Sequence, residues 1–231
     1  MTSISIVVIT LNEAPVIREC LDHVTAVVAQ EGPGEVIVSD GGSTDETARI
    51  ATAYPSVRVV AAPPGRAHGL NAGADSAAGE VLLFLHADTR LPQGALRAIR
   101  HALTDANVAG GRFMVALDNP ALPFRIIGAS INLRDVLLGG FTGDQAVFVR
   151  SRTFWHIGGY APIPLMEDLD FARRLRQHGR VVRLPQHVTT SSRRWEQHGV
   201  LRTIARMWTL RALYYAGVSP HRLARHYRDA R

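Results

Sequence analysis

The sequence contains no lysine, so all 26 of its basic residues are arginine. Three enzyme classes that depend on a lysine amine are therefore excluded. A P-loop enzyme places a lysine beside its Ser or Thr, a protein kinase carries a strand lysine, and a pyridoxal enzyme forms a Schiff base with lysine.

Cysteine and long apolar runs are also scarce. Cys20 is the only cysteine, so no disulfide can form within the chain, which indicates a reducing compartment. No apolar run reaches the roughly 18 residues that a membrane-spanning helix needs. The apolar stretch at residues 4–9 lacks the basic region and cleavage site of a secretory signal. We expect a cytoplasmic protein, soluble or peripheral at the inner membrane face.

The net charge of +6 is concentrated in the C-terminal tail. Residues 187–231 carry nine arginines and two acidic residues, whereas residues 1–186 carry 17 arginines and 18 acidic residues. Such a tail is compatible with nucleic acid, but it suits an anionic membrane surface as well. The basic, aromatic helix predicted at 200–216 has two interpretations, membrane contact or packing on the domain or on a dimer partner.

Hydrophobic patterning predicts an alternation of strands and helices. The expected strands are 4–10, 35–39, 57–61, 81–85, 110–117, 146–150 and 181–184. Between them we expect a helix at 15–28, a helix opened by Ser43 and Glu46 as a capping box, a helix at 67–78, and one started by Pro92. Further helices are expected at 121–138, 166–178, 200–216 and 220–231.

This alternation predicts an α/β fold, a mostly parallel sheet with helices on both faces. The length of 231 residues suits one domain. We assign residues 1–190 to a catalytic domain, with a nucleotide-binding half at 1–107 and an acceptor half at 108–190. Residues 191–231 form the basic helical tail.

Three polar motifs follow predicted strands, namely TLNE at 10–13, DGGSTD at 40–45 and HAD at 86–88. Ligands of an open parallel sheet bind at the carboxyl ends of its strands. Each motif alone is as typical of a helix cap or a turn as of a binding site. Their joint placement at one edge of the sheet predicts a binding site.

The chain resembles the inverting glycosyltransferase family 2, which has the GT-A fold. The resemblance is carried by residues 5–13 (SIVVITLNE), 38–45 (VSDGGSTD), 158–160 (GGY) and 167–171 (EDLDF), which occur in the family's order. It implies transfer of a sugar from a nucleotide-diphosphate sugar to an acceptor hydroxyl, with inversion and a divalent metal. The motifs LHADT at 85–89 and SRRW at 192–195 look most like a bacterial subgroup of small stand-alone transferases.

The resemblance also implies which side chains bind the donor. They are polar residues of the first hundred positions: Thr10, Asn12, Glu13, Asp40, Arg66, Asn71 and His86. A carboxylate such as Asp40 can accept the imide N–H of uracil, which favours a UDP-sugar. Arg66 can pair with phosphate oxygens beside a helix N-terminus.

The metal and the catalytic residues are implied in the same way. HAD replaces the family's Asp-x-Asp, and the retained Asp88 is the expected ligand of Mg²⁺ or Mn²⁺. Asp168 is the expected general base, supported by Glu167. The acceptor side, with an arginine for the leaving diphosphate and a tryptophan for a sugar ring, is assigned to Asp144, Gln145, Arg193, Arg194 and Trp195. His198 is an additional candidate metal ligand.

Other interpretations remain open at this stage. Acidic residues are common at helix N-termini, which explains Asp88, Glu167 and Asp168 without any ligand. A sugar-nucleotidyltransferase has a similar core, but it normally uses a glycine-rich first loop and lysine. A non-catalytic protein that binds nucleotide or nucleic acid through the basic tail is the third possibility.

Overall fold

The computed structural model describes residues 1–138 and 140–228, without the side chains of residues 136–138, 194, 198, 201 and 228. Its strands are β1 (Ile4–Thr10), β2 (Gly34–Asp40), β3 (Val57–Ala61), β4 (Val81–His86), β5 (Thr89–Arg90), β6 (Val108–Leu117), β7 (Phe148–Arg150) and β8 (Arg180–Thr190). Its helices are α1 (Ala14–Glu31), α2 (Thr47–Thr52), α3 (Arg66–Asp75), α4 (Ala95–Ala102), α5 (Leu122–Leu138), α6 (Ser151–His156), α7 (Glu167–Arg176), α8 (Arg193–His198), α9 (Val200–Tyr215) and α10 (Pro220–Arg228).

The strands of the described residues form one eight-stranded sheet in the order β3-β2-β1-β4-β7-β6-β8-β5. The neighbours from β3 to β4 are parallel, and so are β6 and β8. Strand β7 runs antiparallel between β4 and β6, and β5 is antiparallel to β8. The predicted α/β class with a mostly parallel sheet is confirmed.

The core lies on both faces of the sheet because successive strand residues point to opposite sides. In β4, Leu83 and Leu85 enter the larger core with α1, α4 and α5. Leu82 and Phe84 enter the second core with α3, α6 and α7. Strands buried on both faces explain the continuous apolar runs of β1, β2 and β4.

Helix α4 begins at Ala95, so the prediction that Pro92 starts it is wrong. The buried carboxylate of Glu31, at the end of α1, accepts hydrogen bonds from the backbone N–H groups of Gly94, Leu96 and Arg97 at 2.8, 2.9 and 3.1 Å. A side chain 63 positions away therefore caps the helix, which sequence-local capping rules do not reveal.

The capping box expected at Ser43 and Glu46 is also absent, because α2 begins only at Thr47. The Ser43 hydroxyl instead donates to the Asp40 carboxylate and accepts a hydrogen bond from the N–H of Asn12. Elements β5 and α6 were not predicted, and β8 extends to Thr190 rather than residue 184.

The C-terminal helices pack on the rest of the protein. In α9, Ile204 lies against the larger core, and Leu210 packs with Met166 and Leu169 beside α7. Within residues 1–138 and 140–228, no helix is both long enough and apolar enough to cross a membrane.

Candidate active site

The carboxyl ends of β2, β1 and β4 meet at one edge of the sheet. Thr10 is the register partner of Asp40, and Ile9 is the partner of His86. Neighbouring strands lie about 4.8 Å apart, so the three polar motifs that follow them are adjacent. The sequence-predicted clustering of these motifs at one edge is therefore present in the structure.

Asp40 organises the loop that follows β2. One of its oxygens accepts hydrogen bonds from the Thr10 hydroxyl, at 3.0 Å, and from the Ser43 hydroxyl. The other accepts the N–H groups of Gly42 and Ser43, at 3.3 and 2.9 Å. These four bonds match the roughly four acceptor sites of a carboxylate. A nucleobase would bind Asp40 only in place of one of these donors.

Asn12 and Glu13 join the first loop to the second. Asn12 adopts a left-handed conformation, with φ of 55°, and its side-chain oxygen accepts the N–H of Thr44 at 2.8 Å. The N–H of Glu13 donates to the Thr47 hydroxyl at 2.8 Å. The two loops therefore form one hydrogen-bonded unit, and the side-chain oxygen of Asn12 serves as an acceptor within it.

Two arginines lie close to the carboxylates at this edge of the sheet. Arg193 forms an ion pair with Glu13, with 3.3 Å between its Nη2 and Oε2, and it also interacts with the charge of Asp88. Arg66 lies 4.0 Å from Glu167 and interacts with the charges of Asp88 and Asp168. Acids from distant parts of the sequence thus interact with the same arginine.

The acidic pair Glu167–Asp168 opens α7, which is anchored by an aromatic cluster. The rings of Tyr160 and Phe171 stack with centroids 4.3 Å apart. The Asn71 amide donates to the carbonyl of Tyr160 at 2.8 Å and accepts its N–H at 2.9 Å. Asn71 therefore positions the segment before α7 through two hydrogen bonds to the backbone of Tyr160.

The two acids of the pair differ in exposure. Glu167 is 4% exposed, whereas Asp168 is only partly buried. Burial, reinforced by the charge of Asp168, raises the pKa of Glu167 to about 7. Burial also raises the pKa of Asp168, against the charges of Arg66 and Arg211. Asp168 is thus the more accessible carboxylate and the one held between two arginines.

We expect Glu167→Gln to remove a pH dependence of stability. A carboxyl whose pKa is raised on folding stabilises the folded state below pH 4.5 and loses that contribution as the pH rises towards 7. Relative to the wild type, the variant should therefore be more stable at pH 8 than at pH 5, as measured by urea unfolding. The exposed Glu46→Gln serves as control, and an equal difference at both pH values would contradict the assignment.

His86 extends from the end of β4 towards the loop at Gly143. A Cβ on Gly143 would lie 2.9 Å from His86 Nε2, so a larger residue there would force the imidazole to shift. Burial and the charge of Arg66 lower the pKa of His86 to about 3, which leaves a neutral imidazole at pH 7. A neutral imidazole can donate to a ligand or bind a metal.

The acceptor-side residues occupy different positions. Asp144 interacts with the charges of His86 and Asp168, and its buried Oδ1 has no hydrogen-bond partner in the described part of the chain. Gln145 is fully buried, with its side-chain oxygen accepting the N–H of Thr142 at 2.9 Å. Trp195 packs partly buried against the larger core rather than standing open for stacking. The side chains of Arg194 and His198 lie outside the described residues.

Arg211, on α9, was missed by the sequence analysis. It is 5% exposed and interacts with the charges of Asp168, Asp135 and Asp144. Its Nε has no hydrogen-bond partner among the described residues. The signal was hidden because Arg211 is one of several arginines in the tail. Only the docking of α9 shows that this arginine is buried beside the acidic pair.

A divalent metal is compatible with the residues around Asp88, although no group of three His, Cys, Asp or Glu side chains within residues 1–138 and 140–228 forms a complete protein cage. Burial raises the pKa of the Asp88 carboxyl although the charges of Arg193 and Arg66 oppose that effect, so a further cation would stabilise the ionised form. The Thr89 hydroxyl donates to Asp88 Oδ1 at 3.3 Å, so Oδ2 remains available. Mg²⁺ and Mn²⁺ are commonly bound by one or two carboxylates together with substrate phosphates.

Several known proteins are similar to this chain. The PGL/p-HBAD biosynthesis glycosyltransferase of Mycobacterium tuberculosis is 31% identical over 195 residues, which cover 81% of this chain and 75% of that protein. Glycosyltransferase AglE of Haloferax volcanii is 33% identical over 91 residues, which cover 37% of this chain and 30% of that protein.

Solved structures share the fold. S. aureus TarS 1-349 superimposes with a TM-score of 0.66 at 20% identity, covering 82% of this chain and 60% of that chain. The mannosyltransferase PcManGT of Pyrobaculum calidifontis, in complex with GDP-Man and Mn²⁺, gives 0.61 at 22% identity, covering 80% and 56%. The chain thus spans little more than half the length of these structures.

The sequence model of glycosyl transferase family 2 matches residues 5–157. These residues include β1, β2 and β4 with the polar loops that follow them. The mycobacterial likeness extends over four fifths of the chain. The chain therefore belongs to glycosyl transferase family 2, with a fold of the GT-A type.

Proposed function

We propose that this protein transfers a sugar from a nucleotide-diphosphate sugar to an acceptor hydroxyl, with inversion at the anomeric carbon. The observation that supports this most is the position of Arg66, which interacts with Asp88 on one side and with Glu167 and Asp168 on the other. A cation between these carboxylates is where a diphosphate would lie beside a general base.

Asp168 is the proposed general base. Its carboxylate is only partly buried, and among the described residues one oxygen, Oδ1, accepts a hydrogen bond, from the N–H of Leu169 at 2.8 Å, whereas the other accepts none. The second oxygen is free to take the proton of an acceptor hydroxyl as that oxygen attacks the sugar carbon. Glu167, protonated in part near pH 7, would hold the acceptor by a hydrogen bond. A single base with attack from the face opposite the leaving group gives inversion.

Arginines are proposed to stabilise the leaving diphosphate. The side chain of Arg66 is 56% exposed, so Arg66 can contact a ligand while it stays close to Glu167. Arg193 is brought to the same side by its ion pair with Glu13. Arg211 is proposed to keep Asp168 ionised, since its charge opposes the effect of burial on the pKa of that residue. A metal held by Asp88 would supply Lewis-acid stabilisation of the diphosphate.

The base of the donor is proposed to be uracil, with guanine as the alternative. Asp40 and Thr10 lie at the end of the sheet where a nucleoside would bind. TarS was solved with UDP and with UDP-GlcNAc, whereas PcManGT was solved with GDP-Man. Uracil presents one imide N–H, which a single carboxylate oxygen can accept once the Ser43 hydroxyl turns away.

The tail is proposed to lie at an anionic membrane surface. Helix α9 exposes Trp208 and Tyr215, which are 51% and 60% accessible, while Leu210 is buried. Helix α5 adds Leu122, Ile126 and other exposed apolar residues. Aromatic and apolar side chains beside arginines are typical of an interfacial helix.

Thermal-shift measurements with nucleotides test the donor proposal. UDP with Mn²⁺ at a hundredfold excess over its Kd should raise the Tm by roughly 5 °C or more, because a ligand that binds only the folded state stabilises it. GDP should give a smaller shift. A larger shift with GDP would overturn the choice of uracil, and no shift with any nucleotide sugar, with or without metal, would overturn donor binding.

Inversion is tested on donor hydrolysis, since the acceptor is not needed. NMR of the first sugar released from an α-linked UDP-sugar should show the β anomer. Release of the α anomer would exclude a single displacement by Asp168-activated oxygen.

A further inference from the structure

A second pocket lies on the β6–β8 half of the sheet, away from the ends of β1, β2 and β4. It has a volume of about 390 Å³ and is lined by Arg112, Arg176, Arg180, Arg183, Asp135 and the segment around Gly179. Arg112 belongs to β6, Arg180 and Arg183 to β8, and Arg176 to the end of α7. Four arginines from three elements thus surround one cavity.

Arg112 is the buried member of this set. It is 7% exposed, and its Nε has no hydrogen-bond partner among the described residues. The nearest carboxylate oxygen, Asp135 Oδ2, lies 3.7 Å from that nitrogen, beyond hydrogen-bond distance. Burial lowers the pKa of Arg112, the charge of Asp135 opposes that effect, and the charges of Arg183 and Arg176 lower the pKa further. A buried guanidinium nitrogen without a hydrogen-bond partner is costly, and the 3.7 Å ion pair with Asp135 offsets only part of that cost unless a ligand supplies a closer acceptor.

The Asp135 carboxylate is hydrogen-bonded through one oxygen, while its Oδ2, which faces Arg112, has no hydrogen-bond partner among the described residues. Asp135 Oδ1 accepts two hydrogen bonds from Arg134, at 3.1 and 2.9 Å. Arg180 is paired with Asp105 at 2.8 Å. In the described part of the chain, Arg112, Arg176 and Arg183 are therefore left with no hydrogen-bonded carboxylate.

The strand pairing places like charges side by side. Arg112 on β6 and Arg183 on β8 are register partners in a parallel ladder, and the register shifts directly after them. Two guanidinium groups on neighbouring strands repel each other unless an anion lies between them. A β-bulge at such a position re-aims side chains, as bulges beside binding sites do.

We propose that this pocket binds the phosphate group of a phosphorylated ligand, at a site separate from that of the nucleotide donor. Phosphate suits three converging arginines because it carries up to two charges and several acceptor oxygens, and guanidinium groups bind it bidentately. The volume exceeds that of a bare ion and lies in the range of ligand pockets.

A second cavity lies next to this pocket. That cavity, of about 430 Å³, shares Arg176 with the first and is lined by Leu169, Tyr214, Tyr215 and Val218 among others. An apolar and aromatic wall next to a phosphate site suits a ligand with an organic tail. The phosphate group can therefore come from a lipid headgroup or from a soluble phosphate ester.

Calorimetric titration tests the pocket with inorganic phosphate, glycerol 3-phosphate, and phosphatidylcholine vesicles with and without phosphatidic acid, all at fixed ionic strength. The double variant Arg176→Gln/Arg183→Gln removes two exposed arginines of the site. The matched control Arg125→Gln/Arg152→Gln removes two exposed arginines elsewhere and lowers the net charge equally.

We expect the Kd for at least one phosphate probe to rise at least about tenfold in the double variant, because each arginine contributes charge-assisted hydrogen bonds. The control should keep the wild-type Kd, and saturating UDP should not displace the probe. If the double variant loses only the binding to phosphatidic acid vesicles, the ligand is a lipid headgroup. If it loses the binding of glycerol 3-phosphate or inorganic phosphate, the ligand is a soluble phosphate. No binding to the wild type, equal binding by both variants, or displacement by UDP overturns the proposal.

Discussion

Asp168→Asn is expected to lower the kcat of sugar transfer by about 10²–10⁴-fold, the usual contribution of a general base. The amide has nearly the same shape but cannot accept the proton of the acceptor hydroxyl. Nucleotide affinity should stay at the wild-type value, because the proposed donor contacts lie on β1, β2, β4 and Arg66. The kcat comes from initial rates of nucleotide release, and the affinity from UDP titration.

The neighbouring Asp170→Asn provides the matched control. Asp170 lies on the same helix, but it pairs with Arg174 at 2.7 Å and Arg173 at 3.2 Å rather than with Arg66. That variant should retain transfer. Wild-type turnover in Asp168→Asn would remove this residue from the role of base and leave Glu167 as the alternative.

The pH profile gives a further check on the same residue. The base works only when ionised, and burial raises the pKa of Asp168 above its usual value of 3.8. Transfer should therefore fall, as the pH is lowered, at a higher pH than an ordinary aspartate would give. Arg211→Gln should move this acidic limb to still higher pH, because Arg211 favours the ionised form.

Asp88→Asn is expected to abolish the part of donor affinity that depends on Mn²⁺. A metal bridge between a carboxylate and a diphosphate contributes several kcal/mol, so the Kd for a UDP-sugar in Mn²⁺ should rise by about 10²-fold or more. Without added metal, the variant and the wild type should bind with similar affinity. Titrations with Mn²⁺ and with a chelator measure the two values.

Asp75→Asn is the control for this experiment, because Asp75 is an exposed aspartate at the end of α3. It should leave both titrations unchanged. If Mn²⁺ strengthens donor binding equally in Asp88→Asn and the wild type, the metal site lies elsewhere. Equal activity of the wild type with and without chelator would contradict metal dependence altogether.

Together, Asp88→Asn and Asp168→Asn distinguish a defect in donor binding from a defect in the transfer step. Arg66 interacts with Asp88, proposed to hold the metal, and with Asp168, proposed to take the proton. Loss of Asp88 should be seen in the Kd for the donor and loss of Asp168 in kcat. A common defect in both quantities would instead point to Arg66 or to a disturbed fold.

The sequence predicted the structure best where residues close together in the chain determine it. Apolar runs predicted β1, β2 and β4 to within about one residue, because strands buried on both faces leave little choice of side chain. The polar motifs at 10–13, 40–45 and 86–88 were placed at one edge because parallel strands end together. The acidic pair at 167–168 was found through the family resemblance, which the match to residues 5–157 supports for the first two thirds of the chain.

Prediction failed where a partner comes from far along the chain. Glu31 caps α4 across 63 positions, so the start of that helix moved from Pro92 to Ala95. Ser43 binds Asp40 and Asn12 rather than capping α2. Strand β8 continues to Thr190 because it pairs with both β6 and β5. The sequence of residues 185–190 has no alternation of apolar and polar residues that would predict this extension.

The sequence by itself determined the alternation of strands and helices, the absence of lysine chemistry, and the identity of the side chains available for a diphosphate and a general base. The tertiary structure alone decided which of the 26 arginines matter where. Arg66 and Arg211 flank the acidic pair, while Arg112, Arg176 and Arg183 surround a separate cavity. Charge is a property of each residue, but the free energy of that charge depends on burial and on neighbours brought from distant segments.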